Sequence, residues 1–86
     1  MDEAVCLQEF KNLATRLCIE IRYIDEGPSG LCTIKGNRVM FIDKNLDKRS
    51  QLDLFVRDFK TLDLEGFFVV PIIRKVLGME HEESDW

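Results

Sequence analysis

The sequence is poor in the residues that metal sites and nucleophilic catalysis require. It contains one histidine, His81, and three cysteines, Cys6, Cys18 and Cys32. A single imidazole cannot complete an H-E-x-x-H motif, and it leaves a serine or cysteine nucleophile without a suitable base. An odd number of cysteines without C-x-x-C spacing also argues against a disulfide framework or a zinc ribbon. We therefore interpret Cys6 and Cys18 as small core side chains, and we expect no catalytic residue and no metal ligand.

The sequence also lacks a long hydrophobic run, a basic region and a phosphate-binding loop. The longest apolar run, residues 67–73, contains Pro71 and is far shorter than the ~18–20 residues of a membrane-spanning helix. The net charge of −4 is unfavourable for binding nucleic acid. Residues 27–30 lack the Lys-Ser/Thr of a P-loop, and no G-x-G-x-x-G is present, so we expect no cofactor. The acidic start of the chain differs from a signal peptide, which predicts a cytoplasmic location without a membrane partner.

The length and composition of the chain suit one small domain, because its 86 residues include 45% hydrophobic residues, among them six phenylalanines. Residues 2–17 are predicted to form an amphipathic helix, since their apolar side chains recur with a period of 3.6. The period then changes to two over residues 18–24, which predicts a strand. Residues 31–34 and 38–43 follow as a predicted hairpin, because only a short glycine-containing link separates them.

The second half of the chain is predicted to be helical. An apolar stripe marks a helix over residues 50–62, and Gly66 lies in the turn that follows it. Pro71 suits the first position of another, shorter helix. We interpret residues 1–78 as a single domain and residues 79–86 as a flexible acidic tail.

This order of elements predicts an α+β fold. We expect a helix, a three-stranded antiparallel meander with strand order 1-2-3, a helix and a short helix (α-β-β-β-α-α), with the helices on one face of the sheet. The strand at 38–43 is apolar on both faces, so it is either covered twice or presents an interface. Because so small a sheet has two edges and an incompletely covered face, we predict a homodimer, although an unidentified protein partner is possible.

Two parts of the sequence are candidate interaction sites. The strand at 38–43 has apolar side chains on both of its faces. Leu54 lies outside the apolar stripe of the second long helix. Phe67 and Phe68 are consecutive residues of an extended segment and face opposite ways, so we expect one of them to be an exposed anchor. The predicted interface residues are Met40, Ile42, Leu54, Phe67 and Phe68.

Three carboxylate pairs are candidates for acid–base chemistry, although each also suits a cap, a turn or a strand end. The pairs are Asp25 with Glu26, Asp43 with Asp47, and Asp63 with Glu65. Asp43 is the most notable of the six because it ends an apolar strand. We predict a possible pocket around Asp43.

The residues from Gly30-Leu31-Cys32 through the run G-N-R-V-M-F-I-D at 36–43 to D-L-E-G-F at 63–67 resemble a family of short uncharacterised bacterial proteins. This resemblance covers residues 30–77 and implies no assigned activity. The hairpin, polar link and helix are more weakly similar to the opening of small zincin-like metallopeptidases. Residues 58–62, which correspond to the H-E-x-x-H helix of that family, read D-F-K-T-L, so this resemblance implies a protein that has lost the chemistry.

These observations support two hypotheses for function. The first is a non-catalytic protein-interaction module that associates with itself through the second sheet face and residues 67–71. The alternative is a small enzyme or ligand binder with a carboxylate-lined pocket near Asp43, or a degenerate metallopeptidase-like pseudoenzyme. A monomeric state in solution would remove the main support for the first hypothesis, whereas a deep pocket at Asp43 would favour the second.

Overall fold

The computed structural model describes residues 2–79, and its first element is helix α1 (Glu3–Arg16). Asp2 begins this helix because its carboxylate accepts hydrogen bonds from the N–H groups of Ala4, at 2.9 Å, and Val5, at 3.4 Å. The helix ends in a Schellman motif, in which the N–H of Ile19 donates to the C=O of Ala14 at 2.8 Å. Cys18 occupies the left-handed position of this motif, with φ 61°, where glycine is usual.

Three strands form the sheet: β1 (Glu20–Ile24), β2 (Gly30–Ile34) and β3 (Asn37–Asp43). A two-residue turn joins β2 to β3. Lys35 and Gly36 in this turn both have positive φ, as the commonest tight hairpins require. The α+β class and the hairpin agree with the sequence prediction.

The predicted antiparallel meander is wrong. The strand order is β1-β3-β2, so β3 is central, pairing parallel with β1 and antiparallel with β2. The connection at residues 25–29 is not a hairpin; it crosses the end of β3 to the opposite edge of the sheet. Two hydrogen bonds hold this crossing, since Asp43 N–H donates to Ser29 Oγ at 2.8 Å and Lys44 N–H donates to Ile24 C=O at 2.9 Å.

Two further helices complete the described chain, α2 (Lys48–Phe59) and α3 (Pro71–Val76). Helix α2 begins at its N-cap Asp47, whose carboxylate accepts from the N–H of Ser50 at 2.8 Å. It therefore starts and ends a few residues before the predicted range of 50–62. Helix α3 has Pro71 at its first position, as predicted. None of the helices within residues 2–79 is both long and apolar enough to cross a membrane.

One core joins the helices to one face of the sheet. At its centre Phe10 of α1 stacks on Phe55 of α2 with ring centroids 5.2 Å apart, and Phe59 meets both rings edge-on at 5.5 Å. Met40 and Ile42 of β3 belong to the same core. The alternate β3 residues point to the other face of the sheet, where Val39 is also buried, with 3% exposed, without joining this core.

All six elements lie within residues 1–78, and the bounds of the predicted domain stay a prediction; Met1 is outside the described range. The predicted acidic tail begins at Met79, and residues 80–86 lie outside the described residues.

Candidate functional site

The interface predicted from sequence divides into two groups in the structure. Met40 and Ile42 are fully buried and Leu54 is nearly so. Met40 and Ile42 cannot contact a partner, because the helices already cover the sheet face to which they belong, and Leu54 reaches the surface only in the lining of a depression beside α2. Phe67 and Phe68, in contrast, are both exposed, with 45% and 67% of their surfaces in solvent. The aromatic pair, by which we mean Phe67 and Phe68, is thus what remains of that predicted interface.

The aromatic pair is held by a turn rather than an extended segment. Phe67 N–H donates to Leu64 C=O at 3.1 Å, and Gly66 takes up the positive φ of 89° that this turn needs. The chain is fixed on either side of the pair, because Leu64 and Val69 are both buried in the core. The pair is therefore presented at a defined position rather than on a loosely attached loop.

Each ring of the aromatic pair has a different neighbour. The guanidinium of Arg16, at the end of α1, lies 5.9 Å from the centre of the Phe68 ring, which permits a cation–π contact. Phe67 lines a cavity of about 440 Å³ between the residue 60–66 turn and α3. The other side chains in this cavity are mainly apolar, with a few charged residues among them: Phe59, Lys60, Leu62, Leu64, Glu65, Arg74, Leu77 and Met79. A lining that mixes apolar and charged side chains is compatible with the binding of a protein side chain.

Asp43 also lines a cavity, as the sequence suggested it could. This second space, also about 440 Å³, is a wide depression between the 25–29 crossing and α2. Its lining combines carboxylates, hydroxyls and one guanidinium: Gly27, Ser29, Asp43, Leu46, Ser50, Asp53, Leu54 and Arg57. The carboxylate of Asp43 is already engaged, because it accepts a hydrogen bond from the N–H of Asn45 at 2.9 Å.

The other predicted carboxylate pairs have structural partners. Asp25 forms an ion pair with Lys44 at 2.6 Å, which ties the crossing loop to the end of β3. Asp47 caps α2, and the carboxylate of Asp63 accepts from the N–H of Glu65 at 3.0 Å in the turn before the aromatic pair. These contacts give Asp25, Asp47 and Asp63 structural roles in a loop, a helix cap and a turn.

The thiols differ from one another in exposure. Cys6 is buried as predicted, and this burial raises the pKa of its thiol. Cys18 was predicted to be buried and is exposed instead, because the helix ends before it and the left-handed turn points it outward. Within residues 2–79, no group of three or more His, Cys, Asp and Glu side chains is arranged to hold a metal ion.

One contact that sequence reasoning missed connects α2 to the edge of the sheet. Asp58 Oδ2 accepts a hydrogen bond from the N–H of Leu31 at 2.9 Å, and Oδ1 accepts from Arg57 Nε at 2.8 Å. The bond to Asp58 also raises the pKa of Arg57. This region is the one that resembles the metallopeptidase helix, and here Asp58 contacts β2 while Phe59 lies in the core. Nothing in the sequence pattern indicated this pairing, because the two residues are 27 positions apart.

Comparison of the chain with models of protein families, with curated proteins and with solved structures finds no match in any of the three.

Proposed function

We propose that this chain is a non-catalytic protein-interaction module and that the aromatic pair is its docking surface. The observation that carries the proposal is the exposure of two adjacent phenylalanines, 45% and 67%, in a domain of this size. Their combined exposed surface is about that of one whole phenylalanine, and burying it would contribute about 2–3 kcal/mol to a complex. Large aromatic side chains of this kind are frequent binding hot spots.

The surroundings of the aromatic pair support the same function. The fixed turn at residues 64–67 lowers the entropic cost of binding, because the two rings need little further ordering. The cavity beside Phe67 offers space for an apolar side chain of the partner. Lys60 and Glu65, which also line this cavity, supply polar groups that would fix the orientation of the partner. The partner is accordingly a protein surface with an apolar side chain surrounded by polar ones.

The test compares binding partners captured by the wild type and by variants of the aromatic pair. Phe67→Ser and Phe68→Ser should each lose the captured proteins, because each removes an apolar anchor. Val5→Ser on α1 is a matched control, since Val5 is also exposed, at 46%, but belongs to a different surface. Circular dichroism checks that all three variants fold. Equal capture by the wild type and both phenylalanine variants would refute the proposal.

The cavity at Asp43 supports a second candidate function, the binding of a small ligand. Two carboxylates, Asp43 and Asp53, line this space together with a single guanidinium, which favours a ligand that carries an amine. The experiment is a titration of isotopically labelled protein with small amines, followed by amide NMR shifts. Shifts confined to Gly27, Ser29 and Ser50, and absent in Asp43→Asn, would support this candidate. The pseudoenzyme hypothesis remains a prediction from resemblance alone.

A further inference from the structure

The two edges of the sheet differ in how their backbone groups are satisfied. At the β2 edge, the N–H of Leu31 donates to Asp58 of α2. Helix α2 also lies very close to Gly30, because a Cβ added there would be 3.1 Å from Arg57 Nη2. The start of β2 is thereby covered. At the opposite edge, β1 pairs only with β3, so its outer side has no partner strand within residues 2–79.

The register identifies which β1 groups face outward. In a parallel pair, alternate residues direct both backbone polar groups at the neighbouring strand. Ile24 does so, because its C=O accepts from Lys44 N–H at 2.9 Å. By alternation, the backbone groups of Glu20 and Arg22 also bond to β3. The N–H and C=O groups of Ile21 and Tyr23 therefore point to the outer side of β1, where a further strand could pair. No other backbone group of residues 2–79 bonds to these outward groups.

Strand β1 carries few of the features that protect an edge strand from pairing. Natural edges are commonly blocked by charged side chains, above all lysine, by proline or by a β-bulge. The sequence of β1, E-I-R-Y-I, contains neither lysine nor proline, and its five pairs with β3 follow one another without a bulge. Its charges are Glu20 and Arg22, which neutralise each other in an ion pair of 2.6 Å. The edge is therefore regular and electrically balanced.

We propose that β1 pairs antiparallel with β1 of a second copy of this chain, about a two-fold axis at Ile21. Two three-stranded sheets then become one sheet of six strands. This two-fold contact pairs the β1 edge of each copy with the β1 edge of the other, so neither β1 edge stays free, and the outer edges of the six-stranded sheet are the two β2 strands. This strand pairing uses no residue of the aromatic pair. It extends the proposed function, since each dimer would present two copies of that pair.

Charge complementarity selects the register. With the axis at Ile21, Glu20 of each copy lies opposite Arg22 of the other. Both side chains are about half exposed, so the ion pair within one strand can be exchanged for ion pairs between the two strands. An axis at Arg22 would place two arginines opposite each other, and an axis at Glu20 would do the same with two glutamates. An axis at Tyr23 would place Arg22 opposite Ile24. Only the Ile21 register pairs opposite charges while joining the outward N–H and C=O groups of Ile21 in both copies.

The test exploits this complementarity with charge reversals. Sedimentation equilibrium should find the wild type dimeric at tens of micromolar. Arg22→Glu alone and Glu20→Arg alone should each raise the dimer dissociation constant by about tenfold or more, because every cross-strand pair becomes like-charged. An equimolar mixture of these two variants should form a heterodimer, since opposite charges then meet again at both positions. Arg49→Glu, an equal change of charge on α2, should leave the dimer intact.

A second measurement shows whether backbone pairing forms the contact. Amide hydrogen exchange at Ile21 and Tyr23 should be slow in the wild type and fast in Arg22→Glu, while the amide at position 22 stays protected by β3 in both proteins. A monomeric wild type, a dimer that survives both charge reversals, or fast exchange at Ile21 in the dimer would each overturn the proposal. Loss of the dimer in Phe68→Ser would also overturn it. Failure of this test leaves the docking function untouched, because capture by the aromatic pair is measured separately.

Discussion

The carboxylate of Asp58 on α2 accepts a hydrogen bond from the backbone N–H of Leu31 at the edge strand β2, at 2.9 Å. The side chain of Asp58 is only 14% exposed, so this bond forms where water competes weakly. It occupies a backbone donor that another strand would otherwise bind. The start of the β2 edge is consequently covered by the chain itself, whereas residues 32–34 of β2 are exposed and the β1 edge has no partner strand within residues 2–79.

Removal of the Asp58 carboxylate should destabilise the domain. We expect Asp58→Ala to lower the free energy of unfolding by about 1–3 kcal/mol, because Leu31 N–H loses a charged acceptor in a partly buried place. Asp58→Asn should cost less, since its side-chain oxygen can still accept. Urea unfolding measures both effects, and exchange of the Leu31 amide should become faster in Asp58→Ala. Asp53→Ala on the exposed side of the same helix should stay within about 0.5 kcal/mol of the wild type.

The three-ring cluster should dominate stability. Phe59 is fully buried and touches Phe10 and Phe55, so Phe59→Ala leaves a large cavity and should cost about 3–5 kcal/mol. An 86-residue domain has only about 4–13 kcal/mol in total, so this variant should be marginally folded or unfolded at room temperature. Phe59→Leu should cost less, and Phe67→Ala on the surface should change stability little. Thermal unfolding distinguishes these outcomes, and equal melting temperatures for Phe59→Ala and Phe67→Ala would contradict the packing argument.

Replacement of Cys18 by glycine should stabilise the protein. Its φ of 61° is left-handed, a conformation that costs an L-residue about 1–2 kcal/mol and costs glycine almost nothing. We expect Cys18→Gly to raise the free energy of unfolding by about 1 kcal/mol. Cys18→Ser is the matched control, because it removes the thiol and keeps the strained backbone, and it should bring no gain. If serine stabilises as much as glycine, the thiol rather than the backbone conformation is responsible.

The helices and the β2–β3 hairpin could be predicted from the sequence, whereas the order of the strands in the sheet could not. Helical periodicity, the capping residues and the glycine-containing hairpin are each local, so the three helices and the β2–β3 pair could be predicted. The connection at residues 25–29 is short enough for a hairpin, and the sequence does not distinguish a turn from a crossing. The pattern of β3 did contain the missing information. Apolar residues on both faces indicate a central strand, and a 1-2-3 meander would have placed β3 at an edge.

The candidate site was predictable only in part, for a similar reason. A run of adjacent phenylalanines indicated an anchor, but the turn at Leu64–Gly66 exposes both rings where extended backbone would have buried one. Met40 and Ile42 were predicted at an interface because sequence shows which residues share a face, and not which face the helices cover. Contacts across long separations, such as Asp58 with Leu31, leave no periodic signal at all.

The cap of α2 should make stability depend on pH in a defined direction. The hydrogen bond from Ser50 N–H, with help from the Ser50 side chain, lowers the pKa of Asp47 from its ordinary value near 3.8. Because the folded pKa is the lower one, the charged cap stabilises the protein above the unfolded pKa, and this stabilisation is lost as pH falls through the folded pKa. Asp47→Asn retains a capping side chain that does not titrate. The wild type should therefore lose stability relative to Asp47→Asn on going from about pH 6 to about pH 3, as measured by urea unfolding at each pH. A difference between the two proteins that stays constant over this range would show that the ionised carboxylate contributes nothing to the cap.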